Sequence, residues 1–104
     1  MIEIDGRWYE WDKGKNLANI KKHGISFKMA ASAFLDTYSV IDDDLLHSQL
    51  EDRFVLIGLS KTHELLVVCH CYRIKKEKEV VRIISARQAT EQEKEYYEEE
   101  RQWR

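Results

Sequence analysis

Apolar residues recur at helical spacing in the first third of the chain. Leu17 and Ile20 lie three residues apart, Asp12 is a suitable N-cap, and a basic turn just before Gly24 is typical of a helix C-terminus. A second stripe at helical spacing follows Ser26, which is another candidate cap: Phe27, Ala30, Ala31 and Phe34. The pattern therefore predicts two short helices, one that ends at Gly24 and one that begins after Ser26.

Runs rich in valine, isoleucine and leucine follow these helices. Short polar turns separate the runs, which is typical of antiparallel hairpins. The predicted strands are residues 38–41, 53–60, 65–73 and 79–85. Before the first helix, residues 7–11 form an aromatic segment, which we expect to be an edge strand or an extended lead-in.

The last segment is a highly charged helix. Thr90 and Glu93 have the spacing of a capping box, and residues 91–100 are mostly acidic. The order of elements predicts an α+β fold with two N-terminal helices, an antiparallel sheet of three to four strands and a C-terminal helix. A chain of 104 residues is long enough for one core, so we expect a single domain over residues 1–104.

Composition narrows the class of protein. The chain is 43% hydrophobic and 35% charged and contains no proline, which is typical of a globular domain. No run approaches the length of a membrane span and no leader pattern is present, so we expect no membrane association. The two cysteines, Cys69 and Cys71, are too close on a strand to pair easily, and they favour a reducing, cytoplasmic compartment.

The formal net charge of −2 conceals an uneven distribution of charge. Residues 13–28 contain five lysines and no carboxylate, and residues 73–87 contain six basic residues against two glutamates. Acidic residues concentrate in positions 36–52 and after position 91. A local basic field can bind a polyanion despite a near-neutral total, although an ordinary mixed surface has similar patterns.

Arginines accompany the predicted strands. In residues 82–87 an arginine stands at each end of a buried strand pattern, and burying Ile83 beside a guanidinium group costs free energy unless an anion meets that group. Arg53 opens an earlier strand directly after Glu51 and Asp52, so a simple salt bridge is the alternative there. Planar guanidinium groups on a rigid sheet predict a phosphate site.

His70 is the candidate for proton transfer, because histidine titrates near neutral pH. It alternates with Cys69 and Cys71, so the three side chains do not converge and no metal site is predicted. Alternation also places His70 and Arg73 on opposite faces of the sheet. A site that combines them requires a bulge or a strand end near Arg73, and a histidine satisfied within the sheet is the alternative.

Other polar residues are weaker candidates for binding an anion. Residues such as Lys22, His23, His47 and Ser48 are more often solvated surface groups, and a solvated loop explains Lys75 and Lys76 equally well. The chain has no glycine-rich phosphate loop, no Gly-x-Ser-x-Gly elbow and no His-Glu-x-x-His motif. No cofactor is therefore predicted.

Several short motifs occur in order over nearly the whole chain: Trp11-Asp12 with Lys15 and Asn16-Leu17, Lys22-His23-Gly24-Ile25-Ser26-Phe27, Ala30-Ala31, Phe34-Leu35-Asp36, His47-Ser48, Glu51-Asp52-Arg53, Leu56-Ile57-Gly58 and Arg82-Ile83-Ile84-Ser85-Ala86-Arg87 with Ala89-Thr90 and Glu93. Together they resemble the BrnT family, the toxin halves of type II toxin–antitoxin pairs. Each motif is weak alone, and the ordered set is specific.

The resemblance implies a RelE-like fold, cleavage of RNA without metal, and inhibition of translation. It also implies a BrnA-like antitoxin, which neutralises the toxin and supplies the DNA-binding part of an autorepressing complex. The resemblance further implies that the positions associated with activity are Arg53, His70, Arg73 and Arg82, with Arg87 as a further candidate. From their charge, the residues expected to contact RNA are Arg87, Lys22, His23, Lys75 and Lys76. In such chemistry the arginines stabilise the phosphoryl oxygens and His70 transfers a proton.

The acidic final helix departs from the family, because carboxylates near a groove repel RNA. It leaves open a second function, that of a catalytically silent module that acts with a DNA-binding antitoxin in transcriptional autoregulation. A general RNA-binding domain is a weaker alternative, because no aromatic RNA-binding signature is present.

Overall fold

The computed structural model describes residues 1–44 and 51–103, which form a mixed sheet and three helices. The strands are β1 (Ile2–Ile4), β2 (Arg7–Glu10), β3 (Val40–Asp43), β4 (Phe54–Leu59), β5 (Leu65–Lys75) and β6 (Lys78–Gln88). The helices are α1 (Lys13–His23), α2 (Phe27–Ser32), which continues into a 3-10 turn (Ala33–Leu35), and α3 (Glu91–Gln102). None of these helices is long and apolar enough to cross a membrane.

The starts of the three helices and the end of α1 agree with the sequence prediction because local capping determines them, whereas α2 ends at Ser32 and not at Phe34. The Asp12 carboxylate accepts the Lys15 N–H at 3.1 Å, and Gly24 ends α1 in the left-handed conformation with φ 72°. Ser26 caps α2 in the same manner. Thr90 and Glu93 form the predicted capping box of α3.

The sheet is larger than the sequence predicts. The α+β class is confirmed, but the sheet has six strands in the order β1-β2-β6-β5-β4-β3 instead of three to four, and two strands precede the helices. The missed hairpin turns at Asp5 and Gly6, whose φ angles are 52° and 81°. Asp-Gly is a strong local hairpin signal, because both positions tolerate a positive φ.

The aromatic segment is an interior strand, so its assignment as an edge strand or lead-in is wrong. β2 pairs antiparallel with β1 and parallel with β6, where Glu10 lies opposite Arg82. The remaining neighbours in the sheet are antiparallel. This parallel pairing between distant segments brings the N-terminal part of the chain to the arginine-bearing strand.

The two faces of the sheet are covered unequally. α2 and the loop before it pack on one face, over a core that contains Phe27, Leu66, Val68 and Ile83. On the other face, α3 covers only one end, where Tyr97 packs with Ile57, Val67 and Ala89. The rest of that face lies beyond α3 and carries Glu10, Cys69, Cys71, Arg73 and Arg82. We call it the open face.

Candidate active site

The open face carries the arginines that the sequence singles out. In register, Glu10 lies beside Arg82 and Arg82 beside Cys71, so these residues form one row across β2, β6 and β5. Two residues further along β5, Arg73 pairs with Val80. Arg53 immediately precedes β4, whose first residue lies opposite His70. The sheet therefore brings three of the predicted catalytic residues, Arg53, Arg73 and Arg82, to one surface.

A nearly buried carboxylate lies at the centre of this cluster. Glu10 is 8% exposed, and its Oε2 atom accepts a hydrogen bond from Arg82 Nη1 at 3.0 Å. Its Oε1 atom lies 2.5 Å from Lys75 Nζ, and Arg73 Nε lies 4.0 Å from Oε2. Burial raises the pKa of Glu10, but the hydrogen bonds from Lys75 and Arg82 outweigh this effect and the pKa is lower than usual. Glu10 is therefore ionised at neutral pH.

Glu51 connects Arg73 to Arg53. Its Oε2 atom accepts a hydrogen bond from Arg73 Nη2 at 3.2 Å, and its Oε1 atom lies 4.0 Å from Arg53 Nε. Arg73 Nε is buried and has no hydrogen-bond partner among the described residues. The cluster thus combines the cationic side chains of Arg53, Arg73, Lys75 and Arg82 with the carboxylates of Glu10 and Glu51. Arginine forks such as those of Arg73 and Arg82 bind phosphate groups well.

His70, to which the sequence interpretation gives a catalytic role, does not lie in this cluster. It is 0% exposed and points to the helix-covered face, where its ring packs edge-on against Phe34 at 4.8 Å and Tyr72 at 5.2 Å. A combined site requires a bulge between His70 and Arg73, and β5 has none there. The register shift lies instead in β6, where Ile84 is the extra residue opposite the step from Cys69 to His70. The alternation along β5 is intact, so His70 and Arg73 stay on opposite faces.

Burial also changes the protonation of His70. The ring Nδ1 lies 3.1 Å from the carbonyl oxygen of Val68, and Nε2 lies 3.2 Å from the hydroxyl of Tyr72. If Nδ1 donates to the carbonyl, Nε2 accepts from the hydroxyl, and the neutral ring is satisfied. Desolvation lowers the pKa of His70 to about 4. His70 is thus the satisfied sheet histidine that the sequence leaves as the alternative.

We expect His70→Phe to reduce the acid sensitivity of folding. Because the folded-state pKa of His70 is lower than the ordinary value of 6.5, the unfolded state binds more protons between pH 6.5 and about 4, and stability falls as the pH decreases through that window. This loss amounts to about 3 kcal/mol for the parent chain. Urea unfolding at pH 7 and at pH 4.5 measures it for both proteins. Equal losses in the two proteins would show that His70 is not the source.

Arg87 also lies on the open face, but a neighbouring carboxylate engages it. Its Nη1 and Nη2 atoms donate to the two carboxylate oxygens of Glu93 at 2.7 and 2.9 Å. The hydrogen bond from Arg87 lowers the pKa of Glu93 to about 2. Arg87 therefore joins β6 to the first turn of α3.

We expect Glu93→Gln to remove this ion pair and to keep the capping box, which accepts either residue. Because the folded-state pKa of Glu93 is lowered, the pair stabilises the fold above pH 4.5, and this stabilisation is lost as the pH falls towards about 2. The groups are partly exposed, so the loss at pH 7 should be about 1 kcal/mol. Thermal unfolding at pH 7 and pH 3 measures it. A variant that is less stable than the parent by the same amount at both pH values would contradict the assignment.

The other residues predicted to contact RNA lie in different parts of the fold. Lys75 belongs to the cluster through Glu10, whereas Lys76 is exposed at the tip of the β5–β6 hairpin with φ 51°. Lys22 and His23 are exposed in the last turn of α1 and do not meet the arginines. The remaining polar candidates, His47 and Ser48, lie outside the described residues.

Glu10 is the site residue that the sequence interpretation missed. A signal was available, because Glu10 is a charged residue that stands between the aromatic residues Tyr9 and Trp11. Its relation to Arg82 depends on the parallel pairing of β2 with β6, which local sequence patterns do not reveal. An acidic residue inside an apolar strand is costly to bury unless cations surround it.

The cysteines on the open face are thiols. Cys71 is buried and Cys69 is half-buried, and the Cys69 Sγ atom donates to Asp44 Oδ2 at 3.5 Å. Burial and the nearby Asp44 raise the pKa of Cys69 to about 11, so the thiol is protonated at neutral pH. Residues 1–44 and 51–103 contain no group of three or more side chains that could hold a metal ion.

One comparison with known proteins identifies a family. The model of a family described as the ribonuclease toxin, BrnT, of type II toxin–antitoxin systems matches residues 11–93. No significant match was found among curated proteins. The matched segment covers most of the chain and includes Arg53, Arg73 and Arg82, and it begins directly after Glu10. On this match, the chain belongs to the BrnT family of ribonuclease toxins of type II toxin–antitoxin systems.

Proposed function

We propose that this chain is a metal-independent endoribonuclease that inhibits translation, and that the open face of its sheet is where RNA is cleaved. The observation that carries the proposal is the cluster of Arg53, Arg73, Arg82 and Lys75 around the carboxylates of Glu10 and Glu51. Rigid strands hold these cations, so little reorganisation is needed when an anion binds.

The proposed reaction uses the RNA's own 2′-hydroxyl. Its oxygen forms a bond to the adjacent phosphorus while the bond from phosphorus to the 5′-oxygen breaks, which leaves a cyclic phosphate on one product. Arg73 and Arg82 stabilise the charge that develops on the phosphoryl oxygens. Bound phosphate displaces part of the contact that these arginines make with Glu10 and Glu51.

In this proposal, groups on the open face transfer the protons, because His70 is buried on the opposite face of the sheet. The attacking 2′-hydroxyl must lose a proton and the departing 5′-oxygen must gain one. The ionised Glu10 and the ammonium of Lys75, whose polar atoms lie 2.5 Å apart, are the pair in the cluster that can accept and donate a proton. The need for a 2′-hydroxyl restricts the activity to RNA.

A protein antitoxin is the partner that membership of a type II system implies. We propose that it is BrnA-like, that it neutralises the toxin by covering the open face with its own carboxylates, and that operator DNA is bound only through this complex. Opposite charges across such an interface favour rapid and specific association. The catalytically silent alternative is not favoured, because the family is one of ribonucleases.

The test is the rate of amino-acid incorporation in bacteria within minutes of inducing this chain without an antitoxin. We expect incorporation to collapse for the parent chain and to continue at a near-normal rate for Arg82→Ala at matched soluble protein. Arg101→Ala is the matched control, because Arg101 lies in α3 away from Glu10. Continued incorporation in the presence of folded parent protein would overturn the toxin activity in that host.

A further inference from the structure

A cleft lies on the open face between the arginine cluster and α3. It has a volume of about 280 Å³ and is lined by the apolar side chains of Val55, Val67 and Ile84 and by the polar groups of Cys69 and Ser85. Arg53 and Arg87 also line it. Apart from Arg53, its lining residues have no role in the reaction proposed above.

The bulge in β6 shapes one wall of the cleft. Cys69 pairs with Ser85 and His70 with Ile83, so Ile84 is the extra residue and its side chain lines the cleft. A bulge re-aims a side chain in this way and is frequent beside active sites. On the neighbouring strand, Val55 lies opposite Cys69, which places three strands at the base of the cleft.

The position of the cleft relates it to the phosphate site. Cys69 belongs to the cleft, and Cys71, two residues along the same face of β5, lies beside Arg82. Two residues of a strand span about 7 Å. This separation is comparable to that between the phosphate and the base of one nucleotide. Arg53 belongs to both places, since it lines the cleft and pairs with Glu51.

We propose that this cleft binds one unpaired nucleobase of the RNA whose phosphate the arginine cluster holds. The inference rests on the proposed function and names a subsite for it. Apolar walls and guanidinium planes are the surfaces on which single-stranded bases stack. The hydroxyl of Ser85, which is exposed, can donate or accept a hydrogen bond at the edge of the base. The protonated Cys69 adds no negative charge of its own to the cleft wall.

The test compares ligands that differ only in the base. Titrations followed by amide shifts in NMR spectra measure the affinity of the purified chain for the four nucleoside 5′-monophosphates and for ribose 5-phosphate, which lacks a base. We expect at least one nucleotide to bind about tenfold more tightly than ribose 5-phosphate, as stacking of one base provides. Equal affinities in the parent chain would overturn the subsite without any variant.

Two substitutions at one position locate the effect. Ser85→Ile fills the cleft with a residue that strands tolerate, and it should abolish the preference for nucleotides while the affinity for ribose 5-phosphate stays unchanged. Ser85→Ala leaves the cleft open and should retain most of the preference. A Ser85→Ile variant that keeps the preference would contradict the location.

RNA cleavage measured on the same preparation separates this inference from the proposed function. Cleavage by a chain that binds ribose 5-phosphate and nucleotides equally would overturn the subsite alone. A folded chain that neither cleaves RNA nor binds either ligand would overturn both the subsite and the proposed function.

Discussion

Arg82→Ala should lower kcat/KM for RNA cleavage by about 10²–10³-fold, the loss typical of removing one preorganised donor to a developing oxyanion. Arg82 stands in the interior of β6 and is 30% exposed, so its guanidinium is held by the sheet and by Glu10 at 3.0 Å. A flexible surface lysine cannot replace a planar fork held in this way. Multiple-turnover cleavage of a fluorescent oligoribonucleotide measures the effect.

Two further variants are the controls for Arg82→Ala. Arg82→Lys keeps the charge and loses the fork, and it should recover only part of the activity. Arg101→Ala removes an arginine of α3 that pairs with Glu98, outside the cluster. This variant should cleave RNA at the parent rate. A fully active Arg82→Ala protein would contradict the role of Arg82, and equal losses in the Arg82 and Arg101 variants would indicate a general effect of charge.

Glu10→Gln should destabilise the fold by about 2 kcal/mol, because Lys75, Arg73 and Arg82 then face one another without their shared carboxylate. The estimate lies below the usual loss for a fully buried pair, since Lys75 and Arg73 are 46% and 40% exposed and water screens them. Urea unfolding in a buffer without multivalent anions measures it. Cleavage should fall as well, because Glu10 belongs to the proposed proton-transfer pair.

Inorganic phosphate provides a second measurement on the same variant. An anion that compensates for the lost carboxylate charge should stabilise the folded Glu10→Gln protein more than it stabilises the parent, through preferential binding to the native state. Glu79→Gln is the matched control, because Glu79 is 60% exposed and lies 3.9 Å from Arg7, outside the arginine cluster. A Glu10 variant that phosphate does not stabilise would argue against an anion site at this cluster.

The helices and the three long strands were predictable because local interactions determine them. Asp12, Ser26 and Thr90 cap the helices through hydrogen bonds to backbone groups within the following turn, and such bonds need no tertiary context. The runs that became β4, β5 and β6 owe their extended form to β-branched and apolar side chains. The hairpin at Asp5 and Gly6 had a local signal that the interpretation overlooked.

The site was only partly predictable. Arg53, Arg73 and Arg82 stood out because charged groups are unusual in strands that are otherwise apolar. The partnership of Glu10 with Arg82 follows from a parallel pairing between segments 72 residues apart, which no local pattern encodes. His70 was assigned to the site for its chemistry, although the alternation along β5 already placed it on the other face.

Cleavage in the presence of a chelator tests the central claim most directly. The substrates are a short RNA and the same oligonucleotide with deoxyribose throughout, both incubated with excess EDTA and with purified parent or Arg82→Ala protein. We predict that the parent cuts only the RNA, that a 2′,3′-cyclic phosphate forms, and that the variant is nearly inactive. Cleavage that EDTA abolishes and magnesium restores, or the absence of cleavage by folded parent protein, would contradict a metal-independent reaction on the open face.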